Sequence, residues 1–201
     1  GTQRQILQSG LGFKDLRRVL LTHGHLDHIL GLGGIASTFG RWEAINRLEI
    51  YAGKWALDRV RDLMRVVLRS HEVEIEIVYI ELKPGRLLES KNLTIDAFSV
   101  VHRGSGCFGF VLQEKTKRPF LAERAERLGV PVGPERKRLV AGEAITLADG
   151  AVVQPDQVLG DPIAGTKLVY VGDVARMDEI IEPARGADAL VMEATYIAQD
   201  A

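Results

Sequence analysis

The chain has 201 residues, 46% of them hydrophobic and 26% charged, with a formal net charge of −1. That length suits one domain able to bury on the order of 70% of its unfolded surface. Disordered and collagen-like classes are excluded, and apolar runs such as residues 18–21 fall far short of the ~20 residues of a membrane span. The single cysteine, Cys107, cannot form an internal bridge, which argues against a disulfide-built secreted scaffold and for a cytoplasmic location. With no global basic signature, contact with nucleic acid requires a local patch.

In chain order, Gly1-Thr2-Gln3-Arg4-Gln5 opens a helix-like segment. Residues 18–22 read as a short buried strand, and Ile29, Leu30, Leu32 and Ile35 predict a helix over 27–38 despite its glycines. A strand follows over 48–51. The clearest helix covers 54–69, with Leu57, Val60, Met64 and Val67 at helical spacing. Residues 74–80 alternate acids such as Glu74 with Ile or Val, a strand with one wet face. Strands over 93–101 and 107–113 flank a Gly-rich turn, and a charged helix follows over 120–128. Residues 144–154 read as a hairpin around Asp149-Gly150. A strand over 168–171, a helix over 178–185 and a strand over 189–192 complete the series. Intermixed strands and helices predict a layered α/β architecture. Residues 115–166 hold five of the seven prolines and read as a linker or protruding arm. The abrupt ends, the second at Gln199-Asp200-Ala201, read as one domain over 1–201 that is incomplete on both sides.

The strongest chemical signal is Thr22-His23-Gly24-His25-Leu26-Asp27-His28. His23 and His25 stand two apart at a strand end, so both rings can share a side, and Asp27 and His28 fall in the turn that starts the next helix. Imidazole and carboxylate together suit zinc, iron or manganese. Four donors in six residues are enough for two ions, and three of the chain's five histidines are here. His102 and Asp173 each follow a strand and are read as further ligands. A carboxylate can join two cations about 3.5–4 Å apart, an arrangement that assists displacement at phosphorus.

These residues resemble the metallo-β-lactamase superfamily of di-metal hydrolases. Within it the chain is similar to the tRNase Z (ribonuclease Z) family, on Gly1-Thr2-Gln3-Arg4-Gln5, the His23–His28 motif, Phe108-Gly109-Phe110, Leu128-Gly129-Val130-Pro131 with Gly133-Pro134, Gly172-Asp173 and Glu193-Ala194-Thr195. The resemblance implies an αββα sandwich, an α/β fold with a protruding arm. It implies an endonuclease that removes the 3′ trailer of precursor tRNA with two divalent ions, zinc first and manganese or iron as alternatives. One ion would sit on His23, His25 and His102, the other on Asp27 and His28, with Asp173 between them and Asp27 as general base. It also implies a homodimer at full length.

Between Glu114 and Arg138 eight cations face four acids in a chain of net charge −1. These are Lys115, Lys117, Arg118, Arg124, Arg127, Arg136, Lys137 and Arg138, and the resemblance makes them the RNA-gripping arm. The chain departs from the family at Met192, where most members have His, at Gly33, where many have Pro, and in lacking a C-terminal His ligand and the opening strands. Glu193 reads as a polar residue outside the ligand set. Cys107 reads as a small buried hydrophobe, His71 beside Glu72 as a surface histidine, and Trp42 and Trp55 as core or interface. Two rivals stay open: a hydrolase of small phosphodiesters, sulfate esters or lactones, and a chain that binds RNA or metal without turnover.

Overall fold

The computed structural model describes residues 1–42, 46–68 and 75–194. The side chain of Trp42, and residues Arg69, His71, Glu72, Glu74, Thr195 and 199–201, lie outside the described residues. The chain divides into two units, one of Gly1–Ser90, Thr94–Gln113 and Lys167–Ala201, the other of Lys91–Leu93 and Glu114–Thr166.

The first unit is built on two sheets. Strands β1 (Arg18–Leu20), β2 (Arg47–Ala52) and β3 (Glu76–Glu81) form a parallel sheet in that order. Five further strands follow the spatial order β10-β9-β6-β5-β4: β4 (Gly85–Glu89), β5 (Leu93–Val100), β6 (Cys107–Glu114), β9 (Lys167–Tyr170) and β10 (Ala189–Val191). The two-residue period of a strand sorts side chains between layers. On β2, Leu48, Ile50 and Ala52 join one core and Tyr51 another. On β6, Phe108, Phe110 and Leu112 join Tyr51, whereas Cys107 and Val111 join a third cluster.

Helices cover the outer faces. The first short helix is α1 (Thr2–Gln8). Helix α3 (Gly31–Trp42) contributes Leu32, Ile35, Ala36 and Phe39, and α4 (Lys54–Val67) contributes Ala56, Leu57, Val60 and Met64, to the core under β2. Each stripe follows helical spacing, and each large aliphatic side chain buried there contributes roughly 1.5–3 kcal/mol. Helix α8 (Asp178–Ala184) closes the far side through Ile180 against Val100, Val169 and Val171. The layers therefore run helix, sheet, sheet, helix: the αββα sandwich.

The helix expected over 27–38 is instead two, α2 (Leu26–Ile29) and α3, with Leu30 between them. Strand β4 has no counterpart in the sequence reading. One close approach fixes the joint between β2 and α4. A Cβ at Gly53 would stand 2.1 Å from the Gly106 carbonyl oxygen, so only glycine fits there.

The second unit has its own core. Helices α5 (Ala122–Arg127), α6 (Pro134–Val140) and α7 (Pro155–Val158) and the hairpin of β7 (Ile145–Thr146) and β8 (Val152–Val153) enclose Ala125, Val130, Leu139, Ile145, Val153 and Val158. Pro134 and Pro155 lie at helix starts, where the missing N–H has no intrahelical partner to lose. Two of the five prolines that made 115–166 read as a linker therefore begin helices.

Candidate metal centre

Beyond β1 the chain stays tied to both sheets: the Leu21 N–H donates to the Tyr51 carbonyl at 2.9 Å, and the Phe108 N–H donates to the Thr22 carbonyl at 2.8 Å. This places His23 inside the protein, 1% exposed. His25 is the N-cap of α2, in extended conformation, and Asp27 lies in the first turn, where the helix dipole favours a carboxylate. His102 follows β5. Asp173 follows β9, and a Cβ at Gly172 would stand 2.6 Å from Thr22 Oγ1, so glycine is what lets the two loops meet. The Ala175 N–H donates to the Val101 carbonyl at 2.7 Å and joins the Asp173 loop to that of His102.

The side chains converge. His23 Nε2 is 3.0 Å from His25 Nδ1, and His102 Nε2 is 3.3 Å from the same atom. Asp173 Oδ2 stands 3.5 Å from His102 Nε2 and 3.7 Å from His23 Nε2. Two donors each about 2.0–2.1 Å from a tetrahedral ion are roughly 3.3–3.4 Å apart. The four donors thus have the spacing of one coordination sphere. The other oxygen, Asp173 Oδ1, is 3.2 Å from His28 Nε2, which lies 3.3 Å from Asp27 Oδ2. One carboxylate consequently faces two donor groups, one with each oxygen.

Burial, reinforced by the neighbouring imidazoles and opposed by Asp173, lowers the His23 pKa to about 4. Its ring is neutral at pH 7, with a lone pair free for a cation. Thr22 Oγ1 lies 3.1 Å from His23 Nδ1. With the Nδ1–H donated to that hydroxyl, Nε2 is the lone-pair nitrogen facing the other donors. Thr22 is a contributor that the motif alone did not single out, although it directly precedes the first histidine.

A cleft of about 650 Å³ opens on His25, His102 and Asp173, with Arg103, Met192 and Glu193 among its walls. Arg103 makes no salt bridge among the described residues. Asp27 and His28 line a second cavity of about 410 Å³ with Thr2, Arg18 and Tyr170. Cys107 is buried, and burial and the Asp173 charge raise its thiol pKa.

The eight cations of the arm fall in the second unit, and seven of them divide into two groups. The Arg118 guanidinium donates to the Gly160 and Leu159 carbonyls at 2.8 and 3.2 Å and pairs with Asp156. Arg136 donates to the Val130 and Pro131 carbonyls and lies over the Phe120 ring. Arg138 pairs with Glu143 at 3.1 Å. Arg118 and Arg136 thus tie backbone segments of their own unit together, whereas Arg138 is held in a surface pair. Lys117, Arg124, Arg127 and Lys137 are exposed and form no salt bridge among the described residues.

Residues 1–91 match the profile of the Metallo-beta-lactamase superfamily, the stretch that carries the His23–His28 motif. Curated relatives bear the name Ribonuclease Z, three of them being the following. The protein of Bradyrhizobium diazoefficiens is 39% identical over 201 residues, 100% of this chain and 67% of its own length. That of Bradyrhizobium sp. is 41% identical over 200 residues, 100% of this chain and 66% of its own. That of Natronomonas pharaonis is 35% identical over 202 residues, 100% of this chain and 65% of its own. The chain thus spans about two thirds of the length of these relatives. A His/Asp cluster suited to a divalent cation, on an αββα sandwich whose sequence follows these relatives from end to end, assigns the chain to the ribonuclease Z family of the metallo-β-lactamase superfamily.

Proposed function

We propose that the chain carries the catalytic part of a metal-dependent endonuclease that cuts the 3′ trailer from precursor tRNA. The observation that carries this reading is the 35–41% identity to Ribonuclease Z proteins along the whole chain. His23, His25 and His102 would hold one divalent ion and Asp27 and His28 a second, with Asp173 shared between them. Zinc suits this imidazole-rich set, with manganese or iron as alternatives. When bound, such a pair activates water near neutral pH and neutralises charge building on the phosphoryl oxygens.

The chain's own residues do the rest. Asp27, its side chain 79% exposed, accepts the proton of the attacking water. Thr22 holds the tautomer of His23. Arg103, on the wall of the cleft, meets a flanking phosphate. Met192 has no proton to give, so water in the open cleft protonates the leaving 3′ oxygen.

In the second unit Lys117, Arg124, Arg127 and Lys137 contact the RNA backbone, with Lys115 beside them. Arg118 and Arg136 serve mainly to shape that unit, whereas Arg138 is held in a surface pair. The working protein is a cytoplasmic homodimer. The test is incubation of the full-length protein and divalent metal with a precursor tRNA bearing a 3′ trailer, with the cut mapped. Release of the trailer from a tRNA ending in a 3′ hydroxyl at the discriminator nucleotide is expected, and no cleavage with metal supplied would refute the reading.

A further inference from the structure

His25 and His102 are 77 residues apart, yet their facing nitrogens stand 3.3 Å from one another. The turns that carry them are rich in glycine, so something must hold the spacing. Trp55, the second residue of α4, lies between those turns. Its indole meets the His25 ring edge to face, with centroids 5.6 Å apart and planes at 89°. A Cβ at Gly24 would stand 2.8 Å from the Ala56 Cα and 3.0 Å from the indole Cε3. On the other loop, a Cβ at Gly104 would stand 3.2 Å from the indole Cζ3, and Gly104 has φ +98°. Glycine on both sides lets the two loops close onto one ring.

The imidazole χ2 torsion is broad and roughly two-fold. Without a wall, the His25 ring could turn and carry Nδ1 out of the cluster. The perpendicular indole at contact distance narrows that torsion and raises the barrier to turning. The Arg59 guanidinium, 5.1 Å from the indole centroid, lies over the same ring. Covered by Arg59 and the two loops, Trp55 is a poor platform for a nucleotide base.

We propose that Trp55 is a positioning residue that sets the spacing between His25 and His102 and so the affinity of the ion they share. The proposal rests on the metal-centre reading above. Partners behind a ligating histidine typically change metal affinity about 10–100-fold.

The experiment compares Trp55→Ala, Trp55→Leu, Trp55→Phe and the core variant Val60→Ala. Co²⁺ and Zn²⁺ affinity would be read by chelator competition, the Co²⁺ absorption spectrum would report the ligand field, and thermal unfolding of the metal-free proteins would report stability. Trp55→Ala and Trp55→Leu are expected to weaken one ion at least about tenfold and to alter the cobalt spectrum. Trp55→Phe, which keeps a ring, restores most of both. Val60→Ala lowers stability and leaves affinity within about threefold. Leu and Phe both keep apolar bulk, so their contrast decides the matter even if the alanine variant fails to fold. Unchanged affinity and spectrum in Trp55→Leu would overturn the proposal, as would Val60→Ala weakening the metal equally. An unsubstituted protein that binds no Co²⁺ or Zn²⁺ would overturn the metal-centre reading itself, before any variant is compared.

Discussion

Replacing Asp173 with alanine separates a shared carboxylate from a ligand of one ion alone. Asp173 Oδ2 faces His23 and His102 at 3.7 and 3.5 Å, and Oδ1 faces His28 at 3.2 Å. A four-ligand zinc site is worth about 10–16 kcal/mol, roughly 3 kcal/mol per donor, or about two orders of magnitude in affinity. Asp173→Ala should therefore weaken both ions by on the order of 100-fold each. His102→Ala removes a donor from one group only and should weaken one ion, leaving the other within a few-fold. Elemental analysis after dialysis against graded chelator gives the stoichiometry, and competition titration gives the affinities. The side chain of Asp173 is only 19% exposed, so thermal unfolding of the metal-free variants is measured alongside to separate loss of fold from loss of metal. If Asp173→Ala lost one ion alone, or His102→Ala lost both, the shared-carboxylate geometry would be wrong.

The His23 ring is neutral in the native state, with its pKa lowered from 6.5 to about 4. The unfolded chain binds the extra proton first, so the metal-free protein should lose on the order of 2–3 kcal/mol as pH falls from 6.5 to 4; urea titrations across that range should flatten in His23→Gln, and an unchanged slope would contradict the assignment. Gly53→Ala would drive a Cβ to 2.1 Å from the Gly106 carbonyl and should cost about 3 kcal/mol, read by chemical denaturation; a loss below about 1 kcal/mol would show that the joint yields. In the second unit, Leu139 is fully buried, and Leu139→Ala should cost about 3 kcal/mol, seen as faster hydrogen exchange in residues 122–158 and disproved by unchanged exchange there. Deleting residues 119–138 from the full-length protein should abolish precursor-tRNA cleavage while sparing a chromogenic phosphodiester; parallel loss of both would count against an RNA-gripping role.

What was legible in the sequence was whatever depends on neighbours along the chain. His23, His25, Asp27 and His28 lie within one strand end and one helical turn, so their proximity needs no long-range contact. The stripe of Leu57, Val60 and Met64 reveals α4 for the same reason, since burial on one helix face imposes its own period. The alternation of Leu48, Glu49 and Ile50 marks β2 as a strand, and the apolar run at the start of β6 fits a strand covered on both faces.

Only the tertiary structure decided relations between distant segments. It brought His102 within 3.3 Å of His25 and divided the oxygens of Asp173 between two donor groups. It broke the helix expected over 27–38 at Leu30, which puts Asp27 in the first turn of its own short helix. It also turned a proline-rich stretch into a unit with a core and engaged Arg118 and Arg136 with backbone carbonyls. Donor types and periodicities are local properties of a chain. Distances between donors depend on how loops close over glycines such as Gly172, and whether a cation meets solvent or a backbone carbonyl depends on the packing around it.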